Sequence, residues 1–218
     1  MGETIRKAAI QGAAVKKAAV QAFVALAIGA FCFLTAGQAS AADWRQQASP
    51  DDLNRLVQLP SIRMRAIHAA ETWQGKGDFN AMRRVLEPQA RTVPARDLPG
   101  DWRCRQMKLG GVSPYIVYDN WFRCNIRHVN GGLLFQKING SQRTIGFLYP
   151  QDGAWVYLGA SSAGGEPWHN YSGRTPAIGA QVTPDDQIGL LTGIGNNHLR
   201  LEIPAVQESL LDVIELRR

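Results

Sequence analysis

The sequence predicts a mainly β fold with an N-terminal helical segment, in which an antiparallel meander of about eight short strands closes into a small β-barrel. Three observations carry that prediction. From Asp101 onward, short runs with β-branched and aromatic residues are separated by explicit Gly- and Asn-containing turns. Ahead of them, residues 42–97 are polar and repeat apolar side chains at helical spacing. Finally, only Cys104 and Cys124 remain once residues 1–41 are set aside as a leader, and an even pair in an exported chain is expected to be oxidised.

The leader comes first along the 218-residue chain. Arg6, Lys7, Lys16 and Lys17 form a charged n-region, Ala18 to Ala36 is apolar, and Ala39-Ser40-Ala41 supplies the small residues of a cleavage site. The expectation is a signal peptide over 1–41, cleaved after Ala41 or after Ala42, with no transmembrane anchor left behind and a periplasmic or secreted location. Phe31 stands just before Cys32, where a lipoprotein signal needs a small residue, so Cys32 is not read as a lipid anchor. Removing the leader takes away four cations and Glu3, and the formal charge falls from +6 to +3. A mildly basic chain without a basic stripe interleaved with aromatics argues against nucleic acid as a partner.

Residues 42–97 read as a helical segment followed by a linker. Ser49 is an N-cap, Pro50 takes the favoured first helical position, and Asp51 and Asp52 complement the helix dipole ahead of Leu53, Leu56 and Val57. Pro60 is read as the stop of that helix. A second helix is expected from about Ser61 to Gly75, with Ile62, Met64 or Ile67, and Ala70 on one side, and a third from Asp78 to Leu86, closed by Pro88. Pro94, Pro99 and Gly100 give the stretch before the strands its linker composition.

Residues 98–218 read as a disulfide-stapled β-barrel domain. Strands are expected at 101–108, 116–127, 133–138, 142–149, 154–160, 186–193, 198–203 and 208–216. Asn130-Gly131-Gly132, Asn139-Gly140, Asp152-Gly153 and Gly195-Asn196-Asn197 mark the turns. A hairpin centred near Pro114 would set Cys104 opposite Cys124, with Trp102 near Ile126. The arginines at 103, 105, 123 and 127 then fall on the outer face, a solvated cationic patch or a contact for an anionic partner.

One long connection, Ser161 to Asp185, interrupts the meander and carries Trp168, His169 and Tyr171. Long loops in compact domains are often functional, so these three are the candidate ligand loop. Asp212 shares a strand face with Leu210 and Ile214, and Arg143 shares one with Ile145, Phe147 and Tyr149. A lone inward charge is costly, so a buried ion pair between Arg143 and Asp212, or Glu208, is expected.

Catalytic motifs are missing: the chain has no H-E-x-x-H, G-x-S-x-G, phosphate-cradling glycine loop or C-x-x-C. His68, His128, His169 and His198 are scattered through the sequence with no ligand spacing. Neither catalytic residues, nor a metal, nor a cofactor is expected.

The strings "GDWRCRQMKLGG", "FRCNI", "GSQRT" with "GFLYP", and "ESLLDVIEL" resemble the bacterial secreted family known as domain of unknown function 4893, over roughly Leu98 to the end and more weakly from Pro50. That resemblance implies an exported protein and supplies no catalytic residues. Gly100-Asp101-Trp102 at the start of a meander is also similar to the opening of lipocalin-like barrels and of periplasmic peptidase-inhibitor barrels. The sequence departs from those inhibitors, which enter the protease cleft with a short extended trunk, by placing a helical segment there. The resulting expectation is a non-enzymatic exported domain that binds a small molecule or an envelope partner. An inhibitor of a peptidase or lysozyme is the alternative, and an unrecognised hydrolase, needing His169 close to an acid, is third.

Overall fold

The structure, a computed structural model, describes residues 43–73, 79–118, 120–173 and 185–218. The expected leader lies outside these residues. Nine strands form one antiparallel sheet: β1 (Gly100–Gly111), β2 (Tyr115–Val117), β3 (Phe122–Val129), β4 (Gly132–Lys137), β5 (Gln142–Gln151), β6 (Ala154–Ala163), β7 (Asp186–Gly195), β8 (His198–Val206) and β9 (Ser209–Arg217). Their order is β2-β1-β3-β4-β5-β6-β7-β8-β9, and β1 also pairs with β9 from Arg103↔Arg217 to Gly111↔Ser209. Eight strands therefore close into a barrel, and β2 hangs on the far half of β1. The expected turns appear where Asn-Gly and Asp-Gly allow positive φ at both positions: 49° and 80° at Asn130-Gly131, and 43° and 81° at Asp152-Gly153.

Two details depart from the reading of the sequence. The run 116–127 is not one strand but β2 and β3, separated around Tyr118–Trp121. Val117 pairs with Met107, whereas Cys124 pairs with Trp102, so the intervening residues shift the ladder by two positions. Cys104 consequently faces Phe122, and its disulfide to Cys124 runs diagonally across the ladder with the Cα atoms 5.9 Å apart. Both cysteines are fully buried in the barrel interior.

The second departure concerns β5. Its inner face is Thr144, Gly146 and Leu148, all buried, while Ile145, Phe147 and Tyr149 lie on the half-buried outer face. The cause is Tyr157 of β6, whose ring crosses the interior against two glycines. A Cβ on Gly146 would come within 2.5 Å of the Tyr157 ring, and one on Gly159 within 2.1 Å of its hydroxyl.

Among the described residues four α-helices precede the barrel: α1 (Trp44–Gln47), α2 (Pro50–Val57), α3 (Leu59–Thr72) and α4 (Phe79–Leu86). Ser49 caps α2, its hydroxyl accepting from the Asp52 amide, with Pro50 behind it. Pro60 does not end the helical segment; it sits in the first turn of α3, where its missing N–H costs nothing. Ile62, Ala66 and Ala70 of α3, with Val85 and Leu86 of α4, pack on Met107, Leu109, Leu211 and Val213. The alanines let α3 approach the sheet closely. Trp44 and Ala48 cover Val156, Leu158 and Ile188 in the same way. The outer faces of β1, β9, β8, β7 and β6 are thus buried as well as the inner ones.

Charge also lies beneath the helices. Arg200 on the outer face of β8 is only 2% exposed; it meets Glu202 at 2.8 Å and donates to the carbonyls of Val85, Leu86 and Pro88 at 3.0, 3.1 and 3.3 Å. Arg63 reaches Glu202 at 3.3 Å and also donates to Leu86. Two guanidiniums thereby satisfy the carbonyls that the last turn of α4 leaves open.

Candidate functional site

At one end the interior is filled by Trp102, Phe135, Trp155 and their aliphatic neighbours. Arg218 closes that end, its guanidinium 3.9 Å above the Trp102 ring and its donors on the carbonyls of Leu98 and Pro99 at 2.7 Å each. At the other end the inward side chains turn polar, and a cavity of about 180 Å³ opens among them. A larger hollow of 340 Å³ at the closed end is bordered by residues such as Arg91, Asp97 and Asn197, all at the surface, and no buried charge lines it.

The floor of the polar mouth is Thr144 and Gln187, with Tyr157 hydrogen-bonded to Thr144 behind them. The Tyr157 hydroxyl donates to Thr144 Oγ1 at 2.5 Å, and Thr144 donates to Gln187 Oε1 at 2.7 Å. Burial pushes the Tyr157 phenol up, and it remains a proton donor.

One wall comes from β1 and β9. Alternation continues the inner face Trp102-Cys104 into Gln106 and Lys108, and Leu216-Ile214 into Asp212. Gln106 Nε2 donates to Asp212 Oδ2 at 2.9 Å, and the Ser209 hydroxyl donates to Oδ1. Burial raises the Asp212 carboxyl, against the pull of Lys108. Lys108 Nζ lies 2.5 Å from Glu208, and this contact holds the Glu208 carboxyl below its ordinary range.

The opposite wall is β4, where Leu133 and Phe135 are followed on the same face by Lys137. Lys137 is 2% exposed. Its ammonium donates to the Asn139 carbonyl at 3.1 Å and to that of Gln142, and stands 4.2 Å over the Phe122 ring. The Asn139-Gly140 turn makes this possible: Gly140 has φ of 100°, and a Cβ there would sit 3.0 Å from Lys137 Nζ. Burial lowers the Lys137 ammonium to about 8.

A stability signature follows. From about pH 8 to the ordinary lysine value near 10.4, the unfolded chain keeps a proton on Lys137 that the folded chain releases. The contribution is fully present above the ordinary value and is lost as pH falls through about 8. Denaturant unfolding should therefore show wild type gaining on Lys137→Met between about pH 7.5 and 9.5. The other charged groups facing the cavity, Lys108, Asp185, Glu208 and Asp212 with Arg143 at the rim, are common to both proteins. A difference that stays flat with pH would contradict this account.

The rim holds part of the loop singled out in the sequence. Trp168 stacks over Arg143, 4.3 Å from its guanidinium, and the Arg143 side chain donates to the carbonyls of Ala163 and Glu166. The His169 amide donates to Ser162 Oγ at 2.8 Å, and its Nδ1 lies 3.0 Å from Asp185 Oδ2. Tyr171 is turned away from the cavity: its hydroxyl donates to Asp52 Oδ2 at 2.5 Å and accepts from the Ser49 amide at 3.0 Å, tying the loop to the start of α2. Residues 174–184 of the loop lie outside the described residues.

The ion pair expected between Arg143 and Asp212 does not form. Arg143 belongs to the outer face of β5 and donates through Nη2 to loop carbonyls, whereas the inward Asp212 is met by Gln106 and Ser209. Glu208 is taken by Lys108. Lys108 and Lys137 are not singled out by the sequence; Lys137 follows Leu133 and Phe135 on an inner face, the signal used for Asp212, whereas Lys108 follows Gln106. Among the described residues, no group of three His, Cys, Asp or Glu side chains converges as metal ligands would.

The outer arginines surround Trp121. Arg103 faces Arg123 on one side and Arg217 on the other across the ladder, and Arg103, Arg105 and Arg217 lie 5.5, 5.1 and 5.9 Å from the Trp121 ring. Arg105 and Arg217 share the buried Glu215, at 2.7 and 2.6 Å.

A closed eight-stranded antiparallel barrel with one packed end, one polar end and helices laid on its outer wall defines the class of protein. The family model described as Domain of unknown function (DUF4893) matches residues 44–216, and the chain belongs to that family. Comparison with curated proteins and with solved structures finds no match. The closed meander is loosely consistent with the resemblance to lipocalin-like barrels.

Proposed function

We propose that this chain is an exported binding domain that takes a small polar molecule into the open end of its barrel. The supporting observation is the cavity itself: Lys108, Lys137 and Asp212 are buried around about 180 Å³ of space. Burying charge and amide groups opposes folding unless they are paired, and a few convergent polar groups around a concavity are how small-ligand sites obtain specificity. The lining argues against the apolar ligands that a hollow apolar barrel would carry. Export is supported by the signal-peptide pattern and the Cys104–Cys124 disulfide.

A thermal-shift panel of amino acids, hydroxy acids, dicarboxylates and monosaccharides tests the reading. A ligand at a hundred times its Kd stabilises by about 2.7 kcal/mol, which is roughly 5 to 10 °C for a chain of this size. Ser161→Phe, which fills the cavity from β6, should abolish the shift. Compounds that stabilise the substituted protein as well as wild type would overturn the assignment of the site.

The His169–Asp185 pair favours a second reading, a hydrolase. Asp185 holds Nδ1, as the orienting carboxylate of a general base does, and Nε2 has no hydrogen-bond partner among the described residues. Neither Ser161, directed at Asp185, nor Ser162, which accepts from the His169 amide, contacts that nitrogen. Turnover of a bound compound, abolished in His169→Ala with affinity retained, would select this reading over simple binding.

A further inference from the structure

Among the buried charges of the mouth, Lys137 stands apart. Lys108 has Glu208, and Asp212 has two neutral donors with Lys108 nearby. Lys137 has no carboxylate partner among the described residues. An ammonium carries three donors; two are spent on the carbonyls of Asn139 and Gln142, and the Phe122 ring at 4.2 Å offers a quadrupole rather than a counter-charge. Carbonyls and a ring face solvate a cation without neutralising it. An unneutralised charge in a nearly dry site is among the more costly features a fold can carry, and burial is accordingly the influence that governs its proton affinity. The position is nonetheless built: Gly140 clears the space around Nζ, and β4 delivers the side chain to the cavity wall.

We infer that the ligand of this cavity carries a carboxylate and that the Lys137 ammonium is its counter-ion, an inference that rests on the binding role proposed for the barrel mouth. A single uncompensated positive charge matches a monoanion. A phosphate dianion fits poorly, because Asp212, Glu208 and Asp185 line the same space. The anion completes the ion pair that the protein leaves open, so binding is strongest with Lys137 protonated and weakens above about pH 8.

Isothermal titration of the full chain with glycolate, glycine and acetate, each set against its amide, tests the inference. At least one acid should bind ten times or more tighter than its amide. Lys137→Met should lower that acid's affinity at least tenfold, lower any amide's affinity by a clearly smaller factor, and give an unliganded protein no less stable than wild type. A second measurement does not depend on the variant folding: the Lys137 Nζ resonance of wild type, followed against pH, should titrate at least one unit higher with the acid bound. Equal affinity for acid and amide, an unmoved titration, or unchanged acid binding by Lys137→Met overturns the inference. If the amides bind and Ser161→Phe blocks them, the carboxylate assignment falls and the binding site stands. If no acid and no amide binds while a monosaccharide of the wider panel does, the carboxylate assignment falls and the binding role stands; if nothing in either set binds, both fall.

Discussion

Replacing Arg200 with methionine should destabilise the protein by about 3 to 5 kcal/mol, a fall in Tm of roughly 10 °C or more. Arg200 is 2% exposed and joins the end of α4 to β8 through three carbonyls, while Glu202, 3% exposed, keeps only Arg63 once Arg200 is gone. The change therefore strands a buried carboxylate and reopens a helix terminus together. Denaturant unfolding of Arg200→Met, Glu202→Leu and the double variant measures the coupling. The double change should recover a good part of the loss, since it removes the stranded charge. A cost below about 1 kcal/mol for Arg200→Met would place the pair in the class of weak surface bridges and refute the clamp.

Opening the Cys104–Cys124 disulfide is expected to cost about 3 kcal/mol by the chain-entropy estimate. The two residues are separated by 20 in sequence, and both sulfurs lie in the packed interior. Calorimetry with and without reductant, alongside a Cys104→Ala/Cys124→Ala protein, should show Tm lowered by roughly 6 to 12 °C in both cases. The alanine protein should fall slightly further, because it also loses side-chain volume from the core. Identical Tm values with the bond open and closed would show that it does not constrain the unfolded chain.

The parts of the fold that are legible in the sequence are those written in neighbouring residues. Ser49-Pro50 starts a helix because the cap and the first turn lie within three positions of one another. Asn130-Gly131 and Asp152-Gly153 make hairpins because positive φ is a property of those residues themselves. What escaped was set at a distance. The inner face of β5 is invisible to alternation because Gly146 yields its place to a tyrosine on the next strand. The register of β1 on β3 depends on residues between β2 and β3 that leave the ladder, and no local pattern announces them. The candidate site was half legible. Inward charge on Asp212 stood out, while Lys137 belongs to a strand whose apolar inner run is only two residues long before it.

The pairing of β1 with β9 has a kinetic consequence. The ladder from Arg103↔Arg217 to Gly111↔Ser209 joins segments roughly a hundred residues apart in the chain, so it forms last and slowly, after the intervening hairpins have zipped one upon another. Until then the nascent sheet has two open edges, the state most exposed to strand addition by another molecule. Arg103 and Arg217 stand on the two edges of that seam, where like charges repel a foreign copy of the same edge. A chain delivered amino terminus first meets this hazard for as long as its last nine-residue strand has not yet arrived.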